Sequence, residues 1–207
     1  MTFTSDRQNN IAESKRIARI YNRLAKNYDF LGEYLFSLIF SPFGHWNYRP
    51  KAIASLNLQP GDTVIDLCCG TGLNFPLLEK AIGSEGKIIG VDLTEGMLAQ
   101  AQKRVEKNGW ANVELVQSDA ASYQFPTGVD GIISTWGITL VPECERAIQN
   151  ASQVLSPGKP LVILDFKIPD NWLAIFAPLL SFLFIRPFGG SLSMANRHPW
   201  ESIHKYL

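Results

Sequence analysis

The segment Val64-Ile65-Asp66-Leu67-Cys68-Cys69-Gly70-Thr71-Gly72 constrains this chain more than any other. It begins with a short β-branched apolar run, the pattern of a buried strand. The run breaks into a loop with two glycines one residue apart, and Leu73, Leu77, Leu78 and Ala81 follow in a helix-like pattern. Strand, glycine loop and helix open a βαβ unit, and ligands of open α/β sheets bind at the carboxyl ends of such strands. A residue without Cβ lets backbone come close to a ligand and takes dihedrals that other residues resist. The unit closes with Lys87-Ile88-Ile89-Gly90-Val91-Asp92, which puts Asp92 20 positions after Gly72. A carboxylate at that strand end can accept both ribose hydroxyl hydrogens of a nucleoside. The first inference is a site for an adenosine-containing cofactor.

A dinucleotide-binding loop reads G-x-G-x-x-G and rests its pyrophosphate on the helix N-terminus. Here Cys68 holds the first glycine position and Phe75 the third, so the pattern is D-x-x-x-G-x-G with Asp66 inside it. An anion-binding loop gains little from an extra buried carboxylate. A cofactor with an ammonium and a sulfonium gains from one, and S-adenosylmethionine (SAM) carries both. The run Asp66-Leu67-Cys68-Cys69-Gly70-Thr71-Gly72 with Val91-Asp92 resembles the first two motifs of class I SAM-dependent methyltransferases. It is most similar to the ubiquinone/menaquinone-biosynthesis methyltransferases and their phospholipid N-methyltransferase relatives, from about Tyr21 to Phe166.

The resemblance implies SAM as cofactor, S-adenosylhomocysteine as product, and a set of cofactor contacts. These are Tyr28, Asp66, Cys68, Gly70, Thr71, Gly72, Asp92, Leu93, Met97, Ser118, Asp119, Ala120 and Thr135. Tyr28-Asp29 resembles the Tyr-Asp pair with which family members close an N-terminal segment over SAM, and Tyr21 is a second candidate there. Met97 corresponds to a position near the adenine ring. Asp119 stands at a strand end, where an acceptor can take the adenine amino hydrogens, and the resemblance gives it the same role. Trp136-Gly137-Ile138 parallels the Phe-Gly-Ile-Arg-Asn stretch of quinone-biosynthesis methyltransferases, but Thr139-Leu140 replaces its Arg-Asn pair.

Composition narrows the class. Hydrophobic residues make up 46% of the 207 residues and charged residues only 18%, against a usual ~25%. That balance predicts a large core or a greasy exposed surface. A formal net charge of zero argues against a dedicated nucleic-acid binder. Cys68, Cys69 and Cys144 form neither a CxxC pair nor a metal-ligand spacing, so no zinc site or disulfide framework is supported. The polar first ten residues are no secretory signal. A cytoplasmic location follows as the expectation, with peripheral membrane contact left open.

Residues 1–60 read as an N-terminal helical cap, 61–167 as a Rossmann-like core, and 168–207 as an apolar lid or substrate-side helices. In the cap, Ile17, Ala18, Tyr21, Leu24, Ala25 and Tyr28 line one face of a helix over Ile11–Tyr28. Lys15, Arg16, Arg19, Arg23 and Lys26 crowd the rest, a solvated face or an attraction to anionic lipid headgroups. A greasy tract runs from Leu31 to Phe43, and a second helix is expected over Arg49–Asn57.

The core is expected to hold strands at Thr63–Leu67, Lys87–Asp92, Val113–Gln117, Val129–Thr135 and Leu161–Phe166. Helices between them start near Gly72, Thr94 and Pro142. This alternation implies a mainly parallel sheet with helices on both faces. A second greasy tract spans Trp172–Phe188, shorter than the ~20 residues a membrane span needs. Family members carry two further strands that cannot be placed here. The fifth strand is then an exposed edge, which invites a homo-oligomer.

The expected function is methyl transfer from SAM to a small or lipophilic acceptor, either a lipid amine headgroup or a prenylated quinone ring. Such a displacement is driven mainly by positioning donor and acceptor. A base near pH 7 would assist it; His45, His198 and Tyr48 are the candidates, and none is assigned. Two alternatives stand beside this reading. One is a non-catalytic SAM-binding relative. The other is a nicotinamide-dependent oxidoreductase, against which Cys68, Phe75 and the lack of a Tyr-x-x-x-Lys pair count.

Overall fold

The computed structural model describes residues 2–30, 48–165, 194 and 197–206, the side chains of residues 2–6 excepted. Helix α1 (Thr2–Leu24) runs into a 3-10 turn at Ala25–Asn27, and α2 (Tyr48–Ala54) follows. Then come β1 (Thr63–Leu67), α3 (Phe75–Ile82), β2 (Lys87–Asp92), α4 (Glu95–Asn108) and β3 (Val113–Gln117). After β4 (Gly131–Thr135) stand a 3-10 turn (Ile138–Leu140), α5 (Cys144–Val154), β5 (Leu161–Leu164) and α6 (Pro199–Tyr206). The five strands form one sheet of order β3-β2-β1-β4-β5, and every pairing is parallel.

That order sends the chain outward from β1 in one direction and, after β3, back to β4 on the other side. The change of direction leaves a crevice at the carboxyl tips of β1 and β4, the place where open α/β sheets hold ligands. Register brings the tips level: Leu67 lies opposite Val91, Asp92 opposite Gln117, and Thr135 opposite Leu164.

Alternation along the strands divides the core into two layers. Ile65 and Leu67 face one side with Ala147, Ile148 and Ala151 of α5. Val64 faces the other with Phe75, Leu78 and Ile82 of α3, and with Ala52 and Ile53 of α2. Strands buried on both faces read as near-continuous apolar runs, which is why they are legible. At 25 cal/mol per Å², burying a side chain such as Phe75 contributes ~1.5–3 kcal/mol.

The strand limits agree with the sequence reading, with two exceptions: β4 begins at Gly131, with Val129 in a lone bridge to Leu155, and β5, expected to reach Phe166, ends at Leu164. Helix α1 starts nine residues earlier than Ile11, at Thr2. Helix α3 starts at Phe75, not near Gly72, because Gly70, at φ 57, and Gly72, at φ 75, keep the loop out of helical geometry. Helix α6, whose bounds the sequence reading did not place within 168–207, packs on α5, and its Ile203 and Tyr206 join the core layer that Leu161 and Ile163 of β5 also border. Among the described residues no strand pairs with the outer side of β5. The greasy tracts at 31–43 and 172–188, His45 and Phe166 lie outside the described residues.

Candidate active site

A cleft lies across the strand tips beneath the N-terminal helix, enclosing about 840 Å³ of non-protein space with its mouth included. Its floor is built by the loops after β1, β2, β3 and β4. Eleven of the thirteen anticipated contacts line it: Tyr28, Cys68, Gly70, Thr71, Asp92, Leu93, Met97, Ser118, Asp119, Ala120 and Thr135. Gly72 and Asp66 do not; they form the layer behind the wall.

Gly72 matters there by what it leaves out. A Cβ at this position would sit 2.5 Å from the ring of Phe75, and at Gly90 it would sit 2.7 Å from the same ring. Phe75 is fully buried in the space these two glycines clear. This is the physical reason that a phenylalanine replaces the third glycine of a dinucleotide loop.

Asp92 ties the loops together. One of its carboxylate oxygens accepts from the Gly70 N–H at 2.9 Å, the other from the Thr94 N–H at 2.8 Å. Burial pushes its pKa up, and those two bonds, with a third from the Thr94 side chain, pull it back. A carboxylate offers about four lone-pair sites, so capacity remains for a further hydroxyl donor. Ser118 continues the ladder by donating its N–H to the Asp92 carbonyl at 3.0 Å. Next to it, Asp119 accepts from the Ala121 N–H at 2.9 Å and from the Ser14 hydroxyl of α1 at 3.4 Å.

Two non-glycine residues take left-handed backbone at the cleft, Cys68 and Trp136, each at φ 60. Such conformations are costly for residues with Cβ and gather at functional sites. The loop after β4 packs onto Cys68, since a Cβ on Gly137 would lie 2.6 Å from Cys68 Cβ. Burial raises both the Cys68 and Cys69 thiols well above their usual range, and neighbouring carboxylates raise Cys68 further. Neither thiol is a nucleophile at neutral pH.

Behind the wall, Asp66 is fully buried. Alternation turns it toward α3, where Asn74 Nδ2 donates to its Oδ1 at 2.8 Å. The other oxygen, Oδ2, has no hydrogen-bond partner. Burial lifts its pKa to about 7, with the Asn74 bond and the Arg49 charge opposing. Arg49 of α2 lines the cleft in front of this pair. Its Nη1 donates to Asn74 Oδ1 and to Thr135 Oγ1, both at 2.7 Å.

The cap is fastened along its length. Asn22 of α1 accepts the Gly96 N–H at 2.7 Å, capping the first turn of α4 from another helix. Arg197 donates to Glu13 at 2.6 Å and to the carbonyls of Thr139 and Leu140. Asp29 accepts from the Thr71 hydroxyl at 2.6 Å and from Arg104, which holds Tyr28 against the glycine loop. Tyr21 and Tyr28 line the cleft with ring centroids 5.8 Å apart. Burial raises both hydroxyls, Tyr28 to about 12, so both stay protonated at pH 7 and serve as donors. Of the candidate bases, Tyr48 is 47% exposed, and neither it nor His198, which packs edge-on to Trp200, lines the cleft.

The left-handed Gly70 and Gly72, with the carboxylates that surround Cys68, fit a cationic nucleoside cofactor better than a pyrophosphate. The comparisons with known proteins agree. Residues 9–206 match the family described as the ubiE/COQ5 methyltransferase family. The chain belongs to that family. It is similar to the demethylmenaquinone methyltransferase of Staphylococcus carnosus, at 28% identity over 93% of this chain and 77% of the relative. The enzyme of that name from Bacillus subtilis is also 28% identical, over 87% of this chain and 76% of the relative. A crystal structure of a SAM-dependent methyltransferase from Aquifex aeolicus superposes with a TM-score of 0.54 at 29% identity, over 60% of this chain and 66% of that one. This member of the ubiE/COQ5 family is therefore an enzyme, and SAM is its methyl donor.

Sequence reasoning named Tyr21 only as a second candidate and missed Ser14, Arg49 and Asn74. Ser14 and Arg49 reach the site from elements remote in sequence, and Asn74, two residues past Gly72, gains its role only from the residues it meets across the fold. The Asn74–Thr135 and Arg49–Thr135 bonds span 61 and 86 positions.

Proposed function

We propose that the enzyme methylates a ring carbon of a prenylated quinol, with the nucleoside of SAM lying across the tips of β2 and β3. The observation that carries this reading is one cleft lined together by Asp119, Asp92 and the β4 tip residues Thr135 and Trp136. The family and the demethylmenaquinone methyltransferases support the acceptor class.

SAM supplies an electrophilic methyl group. The protein's part is to hold a planar ring at the open end, walled by Trp136, Gly137, Leu140 and Val141, and to exclude water there. A ring carbon becomes nucleophilic when the hydroxyl beside it loses its proton. Tyr21 and Tyr28, held neutral by burial, can donate to the resulting oxyanion.

Membrane contact belongs to the same proposal. Exposed Lys15, Arg19, Arg23 and Lys26 along α1 and its following turn suit an anionic bilayer from which such an acceptor is drawn. Among the described residues no helix is long and apolar enough to cross a membrane.

The test is transfer of labelled methyl from SAM to acceptors held in vesicles, with a demethylated prenylnaphthoquinol compared against phosphatidylethanolamine. The expected product is the C-methylated quinol, formed faster when the vesicles contain anionic lipid. Label recovered only in the lipid amine would overturn the ring acceptor. Label in neither, with SAM bound, would favour the non-catalytic alternative.

A further inference from the structure

Helix α1 roofs the cleft and is held differently at its two ends. In its last turn Asn22 takes the Gly96 N–H at 2.7 Å, and just past it Asp29 takes the Thr71 hydroxyl at 2.6 Å. Both bonds run to the chain that follows β1 and β2. The N-terminal half supplies Ser14 and Ile17 to the cleft lining. There Asn10 reaches Glu143 at 3.3 Å and Ser14 reaches Asp119 at 3.4 Å, both long for hydrogen bonds. The short bond of this half joins Glu13 to Arg197, at 2.6 Å.

Those two residues lie 184 positions apart, with side chains only 19% and 9% exposed. Taking a guanidinium out of water is costly unless its arms find acceptors. Here the fork divides between two parts of the chain. Nη2 donates to Glu13 of the cap. Nη1 donates to the carbonyls of Thr139 and Leu140, at 2.7 and 3.2 Å. These carbonyls belong to the 3-10 turn after β4, and Leu140 with Val141 lines the cleft at the end proposed for the acceptor. Because the guanidinium is planar, its two nitrogens fix the cap and the turn relative to each other. The charge also reaches the Cys144 thiol at the start of α5, which burial pushes up and Arg197 pulls down. Arg197 stands where α1, the turn and α5 meet.

The segment after Arg197 fixes it in place. Pro199 and Ser202 of α6 are buried, and Ile203 and Tyr206 pack against the core layer that α5 covers. Lys205 and Tyr206 both donate to Glu145 of α5, at 2.8 and 3.0 Å. The arginine is carried by an element packed on the core, and it reaches out to the cap.

We infer that Arg197 is a positioning residue for methyl transfer: one guanidinium locks the N-terminal half of the cap to the turn that walls the acceptor end. Closing the cap over the donor and shaping the acceptor wall are then a single event. This rests on the acceptor end proposed above. It adds a residue outside the cleft lining that acts on both ends of the cleft at once.

Hydrogen exchange of the ligand-free enzyme, followed by mass spectrometry, separates the two arms of the fork. The turn suits it, because the Thr139 N–H donates to Asp165 at 3.0 Å, and those of Leu140 and Val141 donate to backbone carbonyls at 3.1 Å. Arg197→Gln is expected to speed exchange in both 10–17 and 138–141. Glu13→Gln should speed it in 10–17 alone, since the turn keeps its guanidinium. Both variants should release S-adenosylhomocysteine about tenfold faster, the size of one hydrogen bond to a charged group. The double variant should add little to either, because the pair acts as a unit. In turnover, Arg197→Gln should raise the acceptor KM about tenfold while Glu13→Gln moves it less than about twofold. Arg197→Lys keeps the charge and loses the fork, so it should restore release more than acceptor KM. Wild-type exchange in the turn, with release and acceptor KM also unchanged in Arg197→Gln, would overturn the inference. A uniform gain in exchange that includes β1 and β2 would also overturn it, leaving Arg197 a purely structural role. A wild-type enzyme that transfers no methyl to the prenylnaphthoquinol would instead fail the acceptor reading, and exchange and release would still decide this inference.

Discussion

The two halves of the cleft are built on different terms. At the β2–β3 tips, Asp92 and Asp119 are held mainly by backbone N–H groups of the loops, from Gly70, Thr94 and Ala121, with the Ser14 hydroxyl of α1 at 3.4 Å. At the β1–β4 tips, Asp66, Asn74, Thr135 and Arg49 hold one another side chain to side chain. The first half rests mostly on loop backbone, and part of its acceptor capacity remains for a hydroxyl. The second is a buried network with opposite charges on either side of an amide. It includes an orphaned oxygen, which is costly in a low-dielectric interior. The difference is one of construction: the β2–β3 end rests on loop backbone, the β1–β4 end on tertiary packing.

The sharpest way to break that contrast is at the layer both halves share. Gly72→Ala puts a Cβ into left-handed backbone and onto the Phe75 ring at 2.5 Å. The strained conformation and the overpacking together predict a loss of ~2–5 kcal/mol in denaturant unfolding. An unchanged midpoint would mean that the ring moves aside freely and the wall is not rigid.

Asp66 gives a smaller effect with a distinctive pH dependence. Its pKa is raised in the folded protein to about 7, while the unfolded chain has ~3.9. The folded state therefore binds the proton more tightly. Stability from this group is fully present below pH ~4 and is lost as pH rises toward 7. Asp66→Asn removes that penalty and keeps an oxygen for Asn74. It should stabilise the protein more at pH 8 than at pH 5, by ~2–3 kcal/mol from the shift between those pH values. Equal effects at the two pH values would show that Asp66 ionises normally and that the charge behind Asn74 is already satisfied.

The same contrast explains what could be read in advance. The strands, their parallel order and the nucleoside half were legible because they rest on short-range signals: apolar runs, left-handed glycines and acids at strand ends. Asp66 was singled out from its motif, but its place behind the wall follows only from its alternation with Val64 and Ile65. Arg49 carried no signal, since it is one of many arginines near the N-terminus until α2 packs beside β4. Helix α6 was not placed within 168–207 because two turns are too short a stretch to set its limits, although its residues are amphipathic. The partial burial of Ile203 and Tyr206 is a tertiary fact.

The central claim is that the nucleoside lies across the tips of β2 and β3 and is held through Asp92. Titration of Asp92→Ala with 5′-methylthioadenosine, which carries the nucleoside of SAM without its amino-acid tail, tests it most directly, alongside an unfolding curve for the variant. The expected result is a folded protein whose affinity for this ligand drops by ~1.5–3 kcal/mol. A folded Asp92→Ala variant that binds methylthioadenosine as tightly as the wild type would contradict the account.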